Sequence, residues 1–222
     1  MMITVWGRRN SVNVQKVLWA LEELDVPYRR ENVGGSFGGN QDGDFLAMNP
    51  MGLVPVIRDG DVTMFESNAI VRYLAARFRA GVLRPAEHKS LAMAEQWMEW
   101  AQVNFAPLVS TLFVHRVRSL PENRNTAAAD AAEKQAAQVL KVADAWLARH
   151  DWFAGHEFSF GDIVMGALLW RYMAVPCEKP PMPHLLEWLE ALQDREAFRR
   201  AVMAVPRAKD LADWQRIEKE TA

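Results

Sequence analysis

Cysteine is nearly absent: the 222-residue chain has only Cys177, which excludes an internal disulfide and a Cys-x-x-Cys redox pair. Cys177 follows Pro176 and leads into a proline-rich stretch, a setting that reads as structural. An excess of either charge is missing too. Lys and Arg number 26 against 28 Asp and Glu, a net charge of −2, so there is no global attraction to nucleic acid or to an anionic membrane. No apolar run approaches the roughly 20 residues that cross a bilayer, and the opening Met1-Met2-Ile3-Thr4-Val5-Trp6 has no basic leader region. A cytoplasmic protein with neither a membrane nor a nucleic-acid partner is expected. The histidines at 88, 115, 150, 156 and 184 show no metal-ligand spacing, so no metal is expected. There is no internal repeat, and low complexity is confined to the glycine-rich Gly34–Asn40. What remains is a chain that is 50% hydrophobic, enough core for one large or two ordinary domains.

The elements read in order. Ile3–Trp6 alternates as a short strand, and Val14, Val17, Leu18, Leu21 and Leu24 recur at a helical period until Pro27 stops them. Tyr28–Val33 reads as a second strand, parallel to the first across a right-handed crossover. One helical turn is expected near Asp44–Met48. Val54–Arg58 and Val62–Phe65 form a hairpin about Asp59-Gly60-Asp61, followed by a helix from Asn68 to about Phe78. Arg79–Glu87, with Gly81 and Pro85, has no period and reads as a linker. Everything beyond is helical: His88–Arg118 with a kink or break at Pro107, Asn125–His150, an apolar helix opened by Ser159-Phe160-Gly161-Asp162, and shorter helices near Leu185–Gln193 and Glu196–Met203. Trp97 and Trp100 sit at helical spacing and read as core. The architecture is thus α/β followed by all-α, with the first unit in thioredoxin-like order.

The most informative stretch is Asn49-Pro50-Met51-Gly52-Leu53-Val54-Pro55-Val56-Ile57, followed by Phe65-Glu66-Ser67-Asn68. A valine before proline is held extended, and its N–H and C=O are left to pair with the backbone of a peptide-like ligand. Ser67 at a helix start offers N–H groups and positive dipole to a carboxylate, while Glu66 accepts an ammonium. One ligand with an α-amino acid head on a peptide body satisfies all of these. Taken singly, Pro55 ends a strand and Ser67 caps a helix; together, at this spacing, they read as a site.

These residues resemble the cytosolic glutathione transferases, in the bacterial-type serine/asparagine subgroup, and the resemblance extends over essentially the whole chain. It implies a thioredoxin-like N-terminal domain over 1–79, an all-helical C-terminal domain over 88–222, glutathione as co-substrate, and a homodimer with Met64, Phe65 and Met93 near its interface. It implies that Val54, with Leu53 and Pro55 beside it in a valine–cis-proline turn, pairs with the cysteinyl part of glutathione and that Glu66 and Ser67 hold the γ-glutamyl end. The Lys or His that often binds the glycine carboxylate is missing, and Asn40 is its substitute.

A free thiol has a pKa of about 8.5, and a helix start plus one hydrogen-bond donor favours the thiolate. The loop Gly7–Val14 is where that donor belongs. Ser11 aligns with the hydroxyl of the serine-type subgroups and Asn13 with an amide used in another; Ser11 is placed first, and either can instead cap the helix. Arg8 and Arg9 read as solvated arginines, with stabilisation of an anionic substrate as the alternative. By resemblance the acceptor pocket draws on Arg8, Val12, Phe105, Leu108, Leu112 and Arg116. The expected activity is conjugation of glutathione to small, mostly apolar electrophiles. Alternatives are a glutathione-dependent peroxidase, disulfide reductase, isomerase or dehalogenase, and, in another class, a non-catalytic binding module.

Overall fold

A computed structural model of the chain describes residues 2–79 and 81–222. The strands β1 (Ile3–Trp6), β2 (Tyr28–Glu31), β3 (Val56–Asp59) and β4 (Val62–Phe65) form one sheet in the order β2-β1-β3-β4. β1 is parallel to β2, with Ile3 opposite Tyr28, and antiparallel to β3, with Val5 opposite Ile57. The β1–β2 crossover is α1 (Val12–Glu23); α2 (Gly43–Met48) precedes β3, and α3 (Ser67–Arg77) follows β4. This is the expected thioredoxin-like order. Some bounds differ, and the differences matter. α1 starts at Val12 rather than near Val14, and α3 at Ser67 rather than Asn68. β3 begins at Val56, so Val54 lies outside the ladder.

The helices that follow are α4 (His88–Trp100), α5 (Ala106–Phe113), α6 (Thr126–Leu147), α7 (Phe160–Ala174), α8 (Pro183–Gln193), α9 (Glu196–Phe198) and α10 (Leu211–Glu220). The expected break at Pro107 takes another form. Ala101–Phe105 widens into a π turn between α4 and α5, which puts Pro107, with no N–H to donate, in the first turn of α5. A second π turn, Val114–Arg118, ends the run. Helix α10 lies beyond the elements read from the pattern. No helix among the described residues is long and apolar enough to cross a membrane.

Helix α7 is the hub, buried almost all round and packed on α1, α4 and α5. Its first turn is held by the expected capping box: Asp162 Oδ2 accepts from the Ser159 N–H at 2.9 Å, and Oδ1 accepts from Phe153 N–H at 3.0 Å and Trp188 Nε1 at 3.1 Å. Gly161 lets α4 approach, since a Cβ there would lie 2.8 Å from Ala94 Cα. Trp97 is core, with Trp100, Trp146 and Phe153 rings within 5.3 Å. With α1 lodged between α3 and α7, every residue from Val14 to Leu21 is buried.

Candidate active site

The β1–α1 loop, the Asn49–Pro55 loop and the start of α3 converge on one cavity of about 530 Å³, closed from the other side by α5, α7 and α10. The local chemistry of each segment explains its presence there. Asn49, almost fully buried, donates Nδ2 to Leu53 O at 2.8 Å and accepts from the Met51 N–H at 3.1 Å, so its side chain shapes the loop that carries Val54. Gly52 adopts φ 62°, and a Cβ on it would meet Gln41 Nε2 at 2.4 Å and Asn40 O at 3.0 Å, which only glycine avoids. The Val54–Pro55 peptide is cis. Among the described residues neither the N–H nor the C=O of Val54 has a backbone partner.

Glu66 occupies the cap position of α3 at φ 69°, in the left-handed region that a non-glycine residue seldom adopts. Such strain, worth roughly 1–3 kcal/mol, accumulates at functional sites. Ser67 is the first helical residue, nearly buried, rather than the cap. Ser11 is the cap of α1, yet its hydroxyl makes no capping hydrogen bond, so this donor at a helix start remains free. Asn13, one turn-position further on, is exposed and lines the same cavity. Asn40 Nδ2 donates to Gly52 O at 2.8 Å, which leaves it one amide hydrogen.

The cavity therefore gathers Arg8, Ser11, Val12, Asn13, Asn40, Leu53, Val54, Pro55, Glu66 and Ser67. Four of the expected acceptor-side residues are not in its wall, and each has a physical reason. Phe105 and Leu112 are fully buried in the core. Leu108 packs against that core as well. Arg116 is held elsewhere by Asp130 at 2.9 Å, by Glu133, and by donation to Pro176 O at 2.8 Å. Their places are taken by Gln102, Ala106, Val109, Ser110, Phe113 and Arg118. The picture of Arg8 as a solvated surface residue is corrected too. Its side chain is 14% exposed, with Nε 3.0 Å from Glu218 Oε1, whereas Arg9 points away to donate to Arg200 O at 2.7 Å.

Two family models match the chain: the glutathione S-transferase N-terminal domain over residues 1–76 and the C-terminal domain over residues 102–196. The chain belongs to the glutathione S-transferase family. It is 44% identical over 207 residues to the glutathione S-transferase GstB of Escherichia coli, covering 91% of this chain and 98% of that one. Glutathione S-transferase 3 of Zea mays is 36% identical over 215 residues, covering 92% and 95%. Among solved structures, the theta class glutathione S-transferase of Xanthomonas axonopodis pv. citri with glutathione bound superposes with a TM-score of 0.87 at 43% identity, covering 90% of this chain and 97% of that one.

The transferase also holds a buried cation that the reading of the pattern missed. Lys16 is completely buried on α1, with Nζ 3.2 Å from Gln102 Oε1 and 3.4 Å from Asn68 Oδ1. It joins the start of α3 to the π turn of the helical unit. Burial pushes its pKa from 10.5 down to about 7, against the pull of Glu66. The sequence carried little signal for it, since Gln15 and Lys16 stand together between the apolar positions Val14 and Val17. On the helical side, Arg171 Nη2 donates to Asn10 O at 2.7 Å, and its guanidinium lies 4.6 Å from the Phe113 ring and 5.1 Å from that of Trp214. Helix α10 brings in Trp214 and Glu218, and Glu218 accepts from the Ser36 N–H at 2.9 Å.

Proposed function

We propose that the cavity binds glutathione and that the transferase joins its thiolate to small electrophiles whose apolar body rests on Val12, Val109, Phe113 and Leu168. In this reading Val54, flanked by Leu53 and Pro55, pairs through its free backbone with the cysteinyl unit. The Ser67 N–H and hydroxyl take the γ-glutamyl carboxylate and Glu66 its ammonium, while the remaining Asn40 amide hydrogen meets the glycine carboxylate. Ser11 donates to the sulfur, with Asn13 as the alternative donor. The thiol proton leaves to solvent, a sulfur–carbon bond forms, and the leaving group departs with its electron pair. The observation that carries this is the Ser11 hydroxyl: it stands at a helix start without a capping partner, in the same cavity as the free Val54 backbone. A hydrogen bond to a charged group contributes about 1.5–3 kcal/mol, equivalent to lowering the thiol pKa by roughly one to two units.

The reading includes a division into a glutathione-binding domain over 1–79 and a helical domain over 88–222, a cytoplasmic setting, and a homodimer in which Phe65, 36% exposed, is a contact. The direct test is calorimetric titration with glutathione, then turnover of an aryl halide. Saturable binding with turnover is expected. Binding without turnover of any electrophile, hydroperoxide or mixed disulfide would make the chain a binding module instead, and no binding would remove the site.

A further inference from the structure

The transferase reading leaves one group of side chains without a role. Arg8 and Asn10 from the β1–α1 loop, Arg118 from the second π turn and Arg171 from α7 all line the cavity. Behind them a buried carboxylate, Glu218, pairs with Arg8 alone, and its other oxygen already accepts from the Ser36 N–H. The acid that does line the wall, Glu66, belongs to the start of α3 and is assigned to the ammonium of glutathione. Among the described residues neither Arg118 nor Arg171 makes an ion pair. Asn10 is fully buried, and neither its side-chain nitrogen nor its side-chain oxygen has a partner within the protein. A buried amide in that state is costly unless something in the cavity pairs with it. Burial first, and then the neighbouring Arg8 and Arg118 charges, push Arg171 down to about 10, so it stays protonated near neutrality with its charge uncompensated.

We propose that this part of the cavity holds a carboxylate carried by the acceptor electrophile, gripped by the Arg171 and Arg118 guanidiniums with Arg8 behind them and the Asn10 amide donating. The inference rests on the transferase reading and adds a charge requirement to an otherwise apolar pocket. Guanidinium forks match carboxylate geometry, and a partly desolvated cluster of like charges gains most from an anion. The Phe113 and Trp214 rings and the Asn10 carbonyl hold Arg171 in place before the substrate arrives.

The test compares a chloronitrobenzoate with the matching chloronitrobenzamide, which share the reacting carbon. In both, sulfur bonds to the ring carbon and chloride leaves with its electron pair. Each kcat/KM is divided by the uncatalysed rate with glutathione, and the acid is expected to be favoured by about tenfold or more. That preference should fall about tenfold in Arg118→Gln, decline with added salt, and be reduced in Arg171→Lys, which keeps the charge but loses the fork. Arg118 is exposed, so its variant keeps the fold even if the Arg171 variant does not. Equal acceleration of acid and amide overturns the anion site and leaves the transferase reading standing. A preference unchanged in Arg118→Gln, with glutathione KM raised alike for both acceptors, assigns the arginines to glutathione and also overturns it. Acceleration of neither acceptor with glutathione still bound overturns the anion site, and loss of glutathione binding overturns the transferase reading with it.

Discussion

The wall of the cavity built by the α/β unit comes mostly from short, nearly contiguous pieces, Arg8, Asn10–Asn13, Gly52–Pro55 and Glu66–Ser67, whereas the facing wall collects scattered positions between Gln102 and Arg118 together with Leu168, Arg171 and Trp214, from helices spread over half the chain. On the first side the proposed function rests on backbone groups that loop chemistry leaves free, and loop chemistry is local. On the second it rests on which face a helix turns toward the cavity, which is settled by packing among distant segments. The first wall is accordingly polar and specific, the second an apolar surface with arginines set into it. A change on one side should alter one ligand and spare the other.

The largest effect is expected from Leu168→Ala. Leu168 is 2% exposed and lines the acceptor side, so its truncation should cost about 2–5 kcal/mol in denaturant unfolding. Acceptor KM should rise several-fold while calorimetric glutathione affinity stays within about twofold; a matching loss of glutathione affinity would break the distinction between the walls. Glu66→Ala and Ser67→Ala probe the other side. Each should weaken glutathione by roughly ten- to a hundredfold, from the 1.5–3 kcal/mol of a lost partner to a charged group, with acceptor KM little changed at saturating glutathione.

The effect that is smallest at any one step of pH concerns Lys16, at the seam between the two units. With its pKa lowered from 10.5 to about 7, the folded chain binds this proton less tightly than the unfolded chain. Stability should therefore rise with pH from about 7 to about 10.5, by at most about 1.4 kcal/mol per unit, and lose nothing further below pH 7, where both states are protonated. Lys16→Met should flatten that rise in unfolding experiments across the window. A slope identical to that of the parent would mean that Lys16 is solvated or paired in solution.

The same contrast explains what was legible in the sequence. The βαβ–ββα order is written in the switch from alternation to helical period and in Pro27, Gly52, Pro55 and Gly60, so the Val54, Glu66 and Ser67 constellation could be read directly. The acceptor wall could not. The residues that the resemblance put forward on the long kinked helix, Phe105, Leu108 and Leu112, each lie one position before a residue that lines the cavity, Ala106, Val109 and Phe113. The π turn at Ala101–Phe105 supplies the reason: it inserts close to one extra residue and rotates the helix face beyond it. Nothing in the residues marks that turn except Pro107 two positions later. Helix α10 did carry a signal: Asp210 accepts from the Asp213 N–H at 2.8 Å as a cap, ahead of Leu211, Trp214 and Ile217 on one face. Its role as the roof of the cavity depends on contacts to Arg8 and Ser36 that no local pattern encodes.

The central claim is that Ser11, free of capping, stabilises the glutathione thiolate. It is tested most directly by ultraviolet thiolate absorbance of bound glutathione, titrated against pH in the parent, Ser11→Ala and Asn13→Ala. The account predicts a thiol pKa below the free value of about 8.5 in the parent, raised by roughly one to two units in Ser11→Ala and little changed in Asn13→Ala. A rise confined to Asn13→Ala, or no rise in either variant, would contradict it.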